Sequence, residues 1–347
     1  MRRSQTVFLL AALIAVLSAV VCLVGLFWQD ADDGARATSV RGEEVELYGE
    51  GLYRFDTVFI AAGSRGTDVV TLLLGIPLLV VGVALYRRGS MRGALVLAGA
   101  VAYFLYVYAS RSLGNAYNGL VLAYIALFSA SLFAFVSVVV SVDHRVLEAQ
   151  LGADRPRRGL AGFLLASGVV TAAVWLLPLL GSVAGSDAPK YLDTYTTTVT
   201  DVLDLGVIVP ILLIAGMLIL HRNAMGYVLA VVMIVLLLLV AATIIVGTAF
   251  QVVADVSFTT GEIVGPIAGF IILGAIGMVL LARLLRDVGE REGERRRQSP
   301  MAASPPPAET AYSTALPESG NGIFFESTPG PGDSEGGDVF APAREAP

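Results

Sequence analysis

Two short polar segments open long apolar stretches of this sequence, and both carry carboxylates. The first is TDVVTLLLGIP at 67–77 and the second is TDVLDLGVIVP at 200–210. Residue 67 corresponds to residue 200, and the same difference in residue number relates every other position of the first segment to one of the second. We call this constant difference the segment offset. A carboxylate in a membrane-embedded apolar helix is costly unless it faces water, a cation or a hydrogen-bond donor. We therefore take the polar members of the two segments as candidates for binding a small polar ligand. They are Asp68, Thr71, Asp201 and Asp204.

A further group of polar residues closes the apolar stretch that ends near residue 110. The segment YFLYVYASRSLGNAYN supplies hydroxyl groups, amides and one guanidinium group. Tyrosine commonly anchors a helix at the membrane interface, but two of these tyrosines lie one helical turn apart and extend inward from it. We expect four of these residues to share an extracytoplasmic ligand site with the carboxylates. They are Tyr103, Tyr106, Arg111 and Asn115.

The first aspartate of each segment also has a purely structural interpretation. Asp68 and Asp201 each follow a threonine where an apolar block starts, and short polar side chains there cap free N–H groups and suit the helix dipole. Pro77 and Pro210 each remove one helical hydrogen bond. A membrane helix tolerates such a kink when neighbours or water satisfy the freed carbonyl. Alternatively, the freed carbonyls and the polar pairs line one external pocket.

Asp204 fits the capping interpretation less well. His221 follows it by 17 residues, which is about 25 Å of helix. If His221 marks the inner edge of a hydrocarbon layer about 30 Å thick, Asp204 lies a few ångströms inside the outer edge. Arg111 and Lys190 are its nearest basic partners by topology.

The composition is that of a helical membrane protein. Of 347 residues, 56% are hydrophobic and 15% are charged, and the mean hydropathy is +0.75, whereas soluble domains carry about 25% charged residues. Eight apolar blocks have the length of a membrane-spanning helix and are too long for barrel strands. We predict an all-α, polytopic bundle of eight transmembrane helices in the lipid bilayer. The blocks are 7–28, 67–86, 93–110, 117–142, 160–183, 201–220, 226–250 and 262–286.

The distribution of basic residues predicts the orientation. Most of the 23 Lys and Arg residues lie before the first block, in alternate loops and after the eighth block, and such residues mark the cytoplasmic side. Both termini are therefore expected in the cytoplasm, with the bundle in the plasma membrane. The first block is interpreted as a retained helix, because its apolar core exceeds that of a signal peptide.

The segment offset predicts an internal duplication. The two halves would be 1–143, which includes an external loop at 29–66, and 144–286. Four helices separate the copies, so the halves would form a 4+4 parallel repeat, an arrangement found in transporters. Residues 287–347 are rich in Pro, Gly, Ser and Glu, and predict a disordered cytoplasmic tail that offers a site for a protein partner.

The external loop contains enough apolar side chains to fold back onto the bundle as a lid. VEL at 45–47 alternates like a short strand, and Asp56 is placed to cap a short helix over 57–62.

Several kinds of chemistry are excluded by the residues present. Cys22 is the only cysteine, and His144 and His221 are the only histidines, so neither a disulfide nor a histidine-rich metal centre is expected. No phosphate-binding, serine-hydrolase or zinc-protease motif occurs. We therefore expect no cofactor, no metal and no nucleic acid.

Parts of the sequence resemble a known family. GLYRFDTVFIAAGSRGTDVVTLLLGIPLLV, RRGSMRG, YFLYVYAS, AYN and YIALFSASLFAF are similar to a family of prokaryotic multi-pass membrane proteins with no established activity. The likeness covers roughly 45–140 and, weakly, the second half. It implies that the external loop and the second to fourth helices form one unit, and it supplies no catalytic residues.

Three functions remain open at this level. The first is a small-ligand binder or transporter with an external pocket. The second is a non-transporting membrane sensor or assembly scaffold, which the long external loop and the tail favour. The third is a membrane enzyme that uses Asp204, Glu262 or tyrosines as acid–base groups.

Overall fold

Eight helices in the described part of the chain are long and apolar enough to cross a membrane. The computed structural model describes residues 5–28, 30, 36–151, 157–185 and 188–298, which belong to one compact unit. The protein is therefore an all-α, multi-pass membrane protein, as the sequence predicts. Its helices are α1 Gln5–Phe27, α2 Val58–Val70, α3 Ile76–Arg87, α4 Met91–Gly114, α5 Val121–Ser141, α6 His144–Leu151, α7 Arg157–Gly185, α8 Val199–Leu203, α9 Val209–Leu220, α10 Ala224–Val253 and α11 Thr260–Gln298.

Two of the eight spanning helices contain a π-helical segment. Thr71–Gly75 joins α2 to α3, and Asp204–Ile208 joins α8 to α9. In each case the residue before the proline donates its N–H to the carbonyl five residues earlier, Ile76 to Thr71 and Val209 to Asp204. Since proline cannot donate a hydrogen bond, the helix widens beside it rather than only kinking.

Two helices form the centre of the bundle. α4 and α10 pack against each other and are buried along most of their length. α3 and α5 pack on α4, while α2, α9 and α11 pack on α10. In a membrane such contacts depend on close packing rather than on the hydrophobic effect. The central pair therefore provides the rigid wall against which the polar side chains of the other helices lie.

The second spanning helix begins nine residues earlier than the sequence predicts. It starts at Val58 rather than at residue 67, so Asp68 lies inside the helix and the capping interpretation is wrong for it. The polar residues between 58 and 67 obscured this start. They are accommodated because that turn packs on α10 and buries Ala61, Ala62 and Gly66. Asp201, in contrast, lies in the first turn of α8.

The loop between α1 and α2 ends at residue 57, and its residues 36–57 form a lid on the bundle. β1 Arg36–Thr38 pairs antiparallel with β2 Glu44–Glu46, close to the predicted strand. Leu52 and Tyr53 are buried in the 3-10 helix that follows. Asp56 does not cap a helix as predicted, since Thr57 occupies the N-cap position without a capping hydrogen bond. The tail was predicted to begin at residue 287, but α11 continues through Gln298, so the first residues of the predicted tail are helical. Residues 299–347 lie outside the described residues.

Candidate functional site

The first half contains a buried ion pair between two spanning helices. The Asp68 carboxylate on α2 lies 2.7 Å from the Arg111 guanidinium on α4. Their side chains are 0% and 5% exposed. Arg111, which the sequence placed at the external surface, is therefore inside the bundle. Removing two charges from solvent is tolerated only when each finds a partner of opposite charge and further hydrogen bonds.

Those further hydrogen bonds come from the lid and from α2. The Tyr53 hydroxyl donates to Asp68 Oδ2 at 2.7 Å and accepts from Arg111 Nη1 at 2.9 Å. Arg111 Nη2 also donates to the Ser64 carbonyl at 3.1 Å. The lid is thus connected to the ion pair through a tyrosine that the sequence analysis did not select. The apolar character of the lid segment around Tyr53 was the available signal.

Three tyrosine rings enclose the Arg111 guanidinium. Its carbon lies 5.7 Å from the ring centre of Tyr53, 5.9 Å from that of Tyr108 and 5.9 Å from that of Tyr124. A cation within about 6 Å of an aromatic face is attracted by the ring quadrupole. The first half therefore supplies the carboxylate, the cation that pairs with it and the tyrosine rings around that cation.

Thr71 and Tyr103 form a separate contact in the same half. Their hydroxyls lie 2.8 Å apart, and both side chains are fully buried. Thr71 is the first residue of its π segment, so this contact joins the widened turn to α4.

Asp204 occupies the corresponding first position of the other π segment. Asp204 is 7% exposed, and its carboxylate lies beside the Tyr106 side chain on α4 and the Trp175 side chain on α7. The predicted basic partners are wrong. Arg111 pairs with Asp68, and Lys190 Nζ binds Glu262 Oε1 at 2.7 Å.

No basic residue in the described parts of the chain forms an ion pair with Asp204. Asp201 lies one turn nearer the helix start and is 8% exposed. Its carboxylate accepts a long hydrogen bond of 3.4 Å from Thr200, lies beside the Thr198 side chain and adds a second negative charge near Asp204.

Asn115 belongs to a latch that joins loops at one end of the bundle. Its amide nitrogen lies 3.2 Å from Ser64 Oγ and 3.5 Å from Asp56 Oδ2. Asp56 Oδ1 also accepts from the Ala116 N–H at 2.7 Å and from the Tyr195 hydroxyl at 2.5 Å. Burial raises the pKa of Asp56, and these hydrogen bonds oppose the shift. The latch joins the lid to the loops before α5 and α8.

The eight predicted residues thus fall into two groups instead of one pocket. The first-half group is internally paired, while the second-half group has a buried carboxylate with aromatic donors and no protein cation among the described residues. The first comprises Asp68, Thr71, Tyr103, Arg111 and Asn115, and the second comprises Tyr106, Asp201 and Asp204. Trp175, which the sequence analysis did not select for the site, completes the second group.

Within the described residues, no group of three or more His, Cys, Asp or Glu side chains is arranged to hold a metal ion. Comparisons with protein-family models, with curated proteins and with solved structures gave no match. The geometry of the two groups is therefore the basis for a functional assignment.

Proposed function

We propose that this multi-pass membrane protein binds a small ligand at the second-half group from the extracytoplasmic side, as a binding protein or a transporter. The observation that carries the proposal is Asp204, a carboxylate that is 7% exposed in a spanning helix and has no cation among the described side chains. Ionisable residues at such depth are retained mainly for function. Asp204 also starts a π segment, and π segments occur frequently at functional sites.

The first-half group is less suited to ligand binding. Asp68 and Thr71 are 0% exposed, and the charge of Asp68 is already neutralised by Arg111 at 2.7 Å. An incoming ligand would have to displace Arg111 from its hydrogen bonds. We therefore assign this group to positioning α2, α4 and the lid.

We also propose that the two halves are related by duplication as a 4+4 parallel repeat. Support comes from element bounds that coincide after the segment offset is applied. The π segments Thr71–Gly75 and Asp204–Ile208 coincide in this way, as do α3 with α9 and the starts of α4 and α10. These coincidences concern the bounds of helices, so they are additional to the shared Thr-Asp and Pro residues of the two segments.

The turns that follow α3 and α9 add to this support. Gly89 and Arg222, which the segment offset relates, both have a left-handed backbone, with φ of 74° and 62°. A Cβ atom at Gly93 would lie 2.5 Å from the Tyr86 nitrogen, and one at Gly226 would lie 2.7 Å from the Ile219 nitrogen. The same offset relates the two glycines and the two nitrogens, so both hairpins need the same close approach.

Helix contacts between the halves follow the same relation. α2 packs on α10, and its counterpart α8 packs on α4. Exchanging the halves converts one contact into the other, as expected for a pseudo-twofold axis along the membrane normal.

Cellular placement is part of the same proposal. We place the bundle in a prokaryotic plasma membrane with both termini in the cytoplasm, which the distribution of Lys and Arg favours. The choice of a prokaryotic cell follows from the family resemblance that we propose from the sequence.

A ligand screen on the purified protein in detergent tests the proposed binding. We expect at least one class among small cations, anions and neutral polar solutes to raise the melting temperature of the wild type. Asp204→Asn should abolish that response. Asp255→Asn is the matched control, because Asp255 is exposed beyond α10 and has a backbone conformation that Asn tolerates. An equal response in Asp204→Asn, or none from any class in the wild type, contradicts the proposal.

A non-transporting sensor or assembly protein is the second candidate. The observation that favours it is the latch, in which Asp56 holds the lid to two other external loops. A lid fixed in this way transmits movement between loops without passing a solute. Residues 299–347 of the tail lie outside the described residues, so the binding of a protein partner to the tail stays a prediction.

A further inference from the structure

We infer that the ligand of the second-half group is a small organic cation, whose ammonium or guanidinium group pairs with Asp204. This inference rests on the proposed function and names the chemical class of its ligand. A buried carboxylate is costly as an anion, and a positive charge beside it offsets that cost more fully than neutral donors do. Asp204 has two neutral donors, Tyr106 and Trp175, and a second carboxylate nearby, Asp201.

The protein's own external cations are committed elsewhere. Arg111 pairs with Asp68 and Lys190 pairs with Glu262. Arg65 donates to the Tyr48 hydroxyl. Arg41 donates to the Asp193 carbonyl, and Arg54 lies over the Phe55 ring. Arg36 lies in β1 of the lid. No described cation in these loops is paired with Asp204, so we assign its positive partner to a bound ligand.

The first half shows how this bundle accommodates such a cation. There a guanidinium lies 2.7 Å from a carboxylate on the second spanning helix and within 6 Å of three tyrosine rings. The position that the segment offset assigns to Arg111 is occupied by Ile244, so the second half has no covalently attached equivalent. Asp201 stands at the position of Asp68. Asp204, at the position of Thr71, adds a second carboxylate beside the aromatic side chains of Tyr106 and Trp175.

The surroundings select an organic cation over an inorganic one. Aromatic faces attract ammonium and guanidinium groups, whereas a metal ion needs several oxygen ligands, and the described residues hold no cluster of three acidic or metal-binding side chains. Access from outside is short, because Asp204 lies five residues after the start of α8 at Val199, or about 8 Å of helix.

Tryptophan fluorescence tests this directly, because the chain has two tryptophans, Trp28 and Trp175. Trp28→Phe leaves Trp175, in the proposed site, as the single reporter. The full chain in detergent is titrated with butylammonium and butylguanidinium. Butyrate and n-butanol carry the same alkyl chain with negative or no charge, and NaCl at equal ionic strength controls for salt.

We expect a saturable change in Trp175 emission with the two cations only. Asp204→Asn in the Trp28→Phe background should weaken binding at least tenfold, and Asp255→Asn should leave it unchanged. Tyr106→Phe keeps the carboxylate and should weaken binding only a few-fold. Equal elution volumes and equal far-ultraviolet circular dichroism establish that the variants are folded.

The alternative results separate the two proposals. An Asp204-dependent response to butyrate or n-butanol overturns the cation assignment and leaves ligand binding in place. A response to pH with none to either cation assigns Asp204 to a proton and overturns the cation assignment. The lack of any response to the cations, the anion, the neutral compound or pH overturns both.

Discussion

Breaking the Asp68–Arg111 pair should destabilise the protein strongly. Asp68→Leu removes the charge-assisted hydrogen bond from Arg111 at 2.7 Å and the bond from Tyr53 at 2.7 Å. Hydrogen bonds to charged groups contribute about 1.5–3 kcal/mol each. The two together give a loss of about 3–6 kcal/mol, close to the ~3–5 kcal/mol typical of removing one partner of a buried pair. Arg111, at 5% exposed, would then keep a buried charge without its carboxylate.

The magnitude is measured as the free energy of unfolding in mixed micelles, as a double-mutant cycle with Arg111→Met. The double variant Asp68→Leu/Arg111→Met has no uncompensated charge. Its loss should therefore be smaller than the sum of the single losses by at least about 2 kcal/mol. Glu262→Gln is the control, because the Lys190–Glu262 pair is exposed and exposed pairs contribute little.

Two results would refute this reasoning. One is a loss below about 1 kcal/mol for Asp68→Leu, which would place the pair in the class of surface ion pairs. The other is additivity of the two single substitutions, which would mean that the side chains do not interact across α2 and α4.

Two further predictions concern the hairpin after α9 and the external latch. Arg222→Gly should stabilise the fold by about 0.5–1 kcal/mol. At φ of 62° the Cβ of Arg222 causes backbone strain, and relief of that strain exceeds the extra entropy that glycine loses on folding. A lower unfolding midpoint would contradict this. Burial raises the pKa of Asp56 above its ordinary 3.8, so the folded state binds this proton more tightly and stability should fall as the pH rises from about 3.8 through the raised pKa. Unfolding midpoints across that range should depend less on pH in Asp56→Asn, and an unchanged pH profile would exclude Asp56 as the source.

The sequence correctly identified the two polar segments as places where spanning helices are irregular, but it assigned the wrong role to Asp68. An aspartate after a threonine at the edge of an apolar block has the pattern of a helix cap. The helix extends to Val58 because its first turns pack on α10 instead of facing lipid, so their polar residues are tolerated. Hydropathy identifies helix segments that face lipid, and it misses segments of a spanning helix that are covered by protein.

The partners of the carboxylates required the tertiary structure. Arg111 and Lys190 were equally near Asp204 by topology, but Arg111 lies beside Asp68 and Lys190 beside Glu262. Loop order assigns a side chain to one surface of the membrane and contains no information on which helices are neighbours. The packing of α2 against α10 and of α8 against α4 decides which charges meet.

The sequence by itself determined that the protein is a helical membrane protein, how many helices could span the membrane and where proline disturbs two of them. Each of these depends on local properties, namely apolar length matched to the bilayer and proline's missing N–H. Only the tertiary structure decided that Asp68 has an internal cation and Asp204 has none among the described residues. That difference arises between helices distant in the chain, and it directs attention to the second π segment.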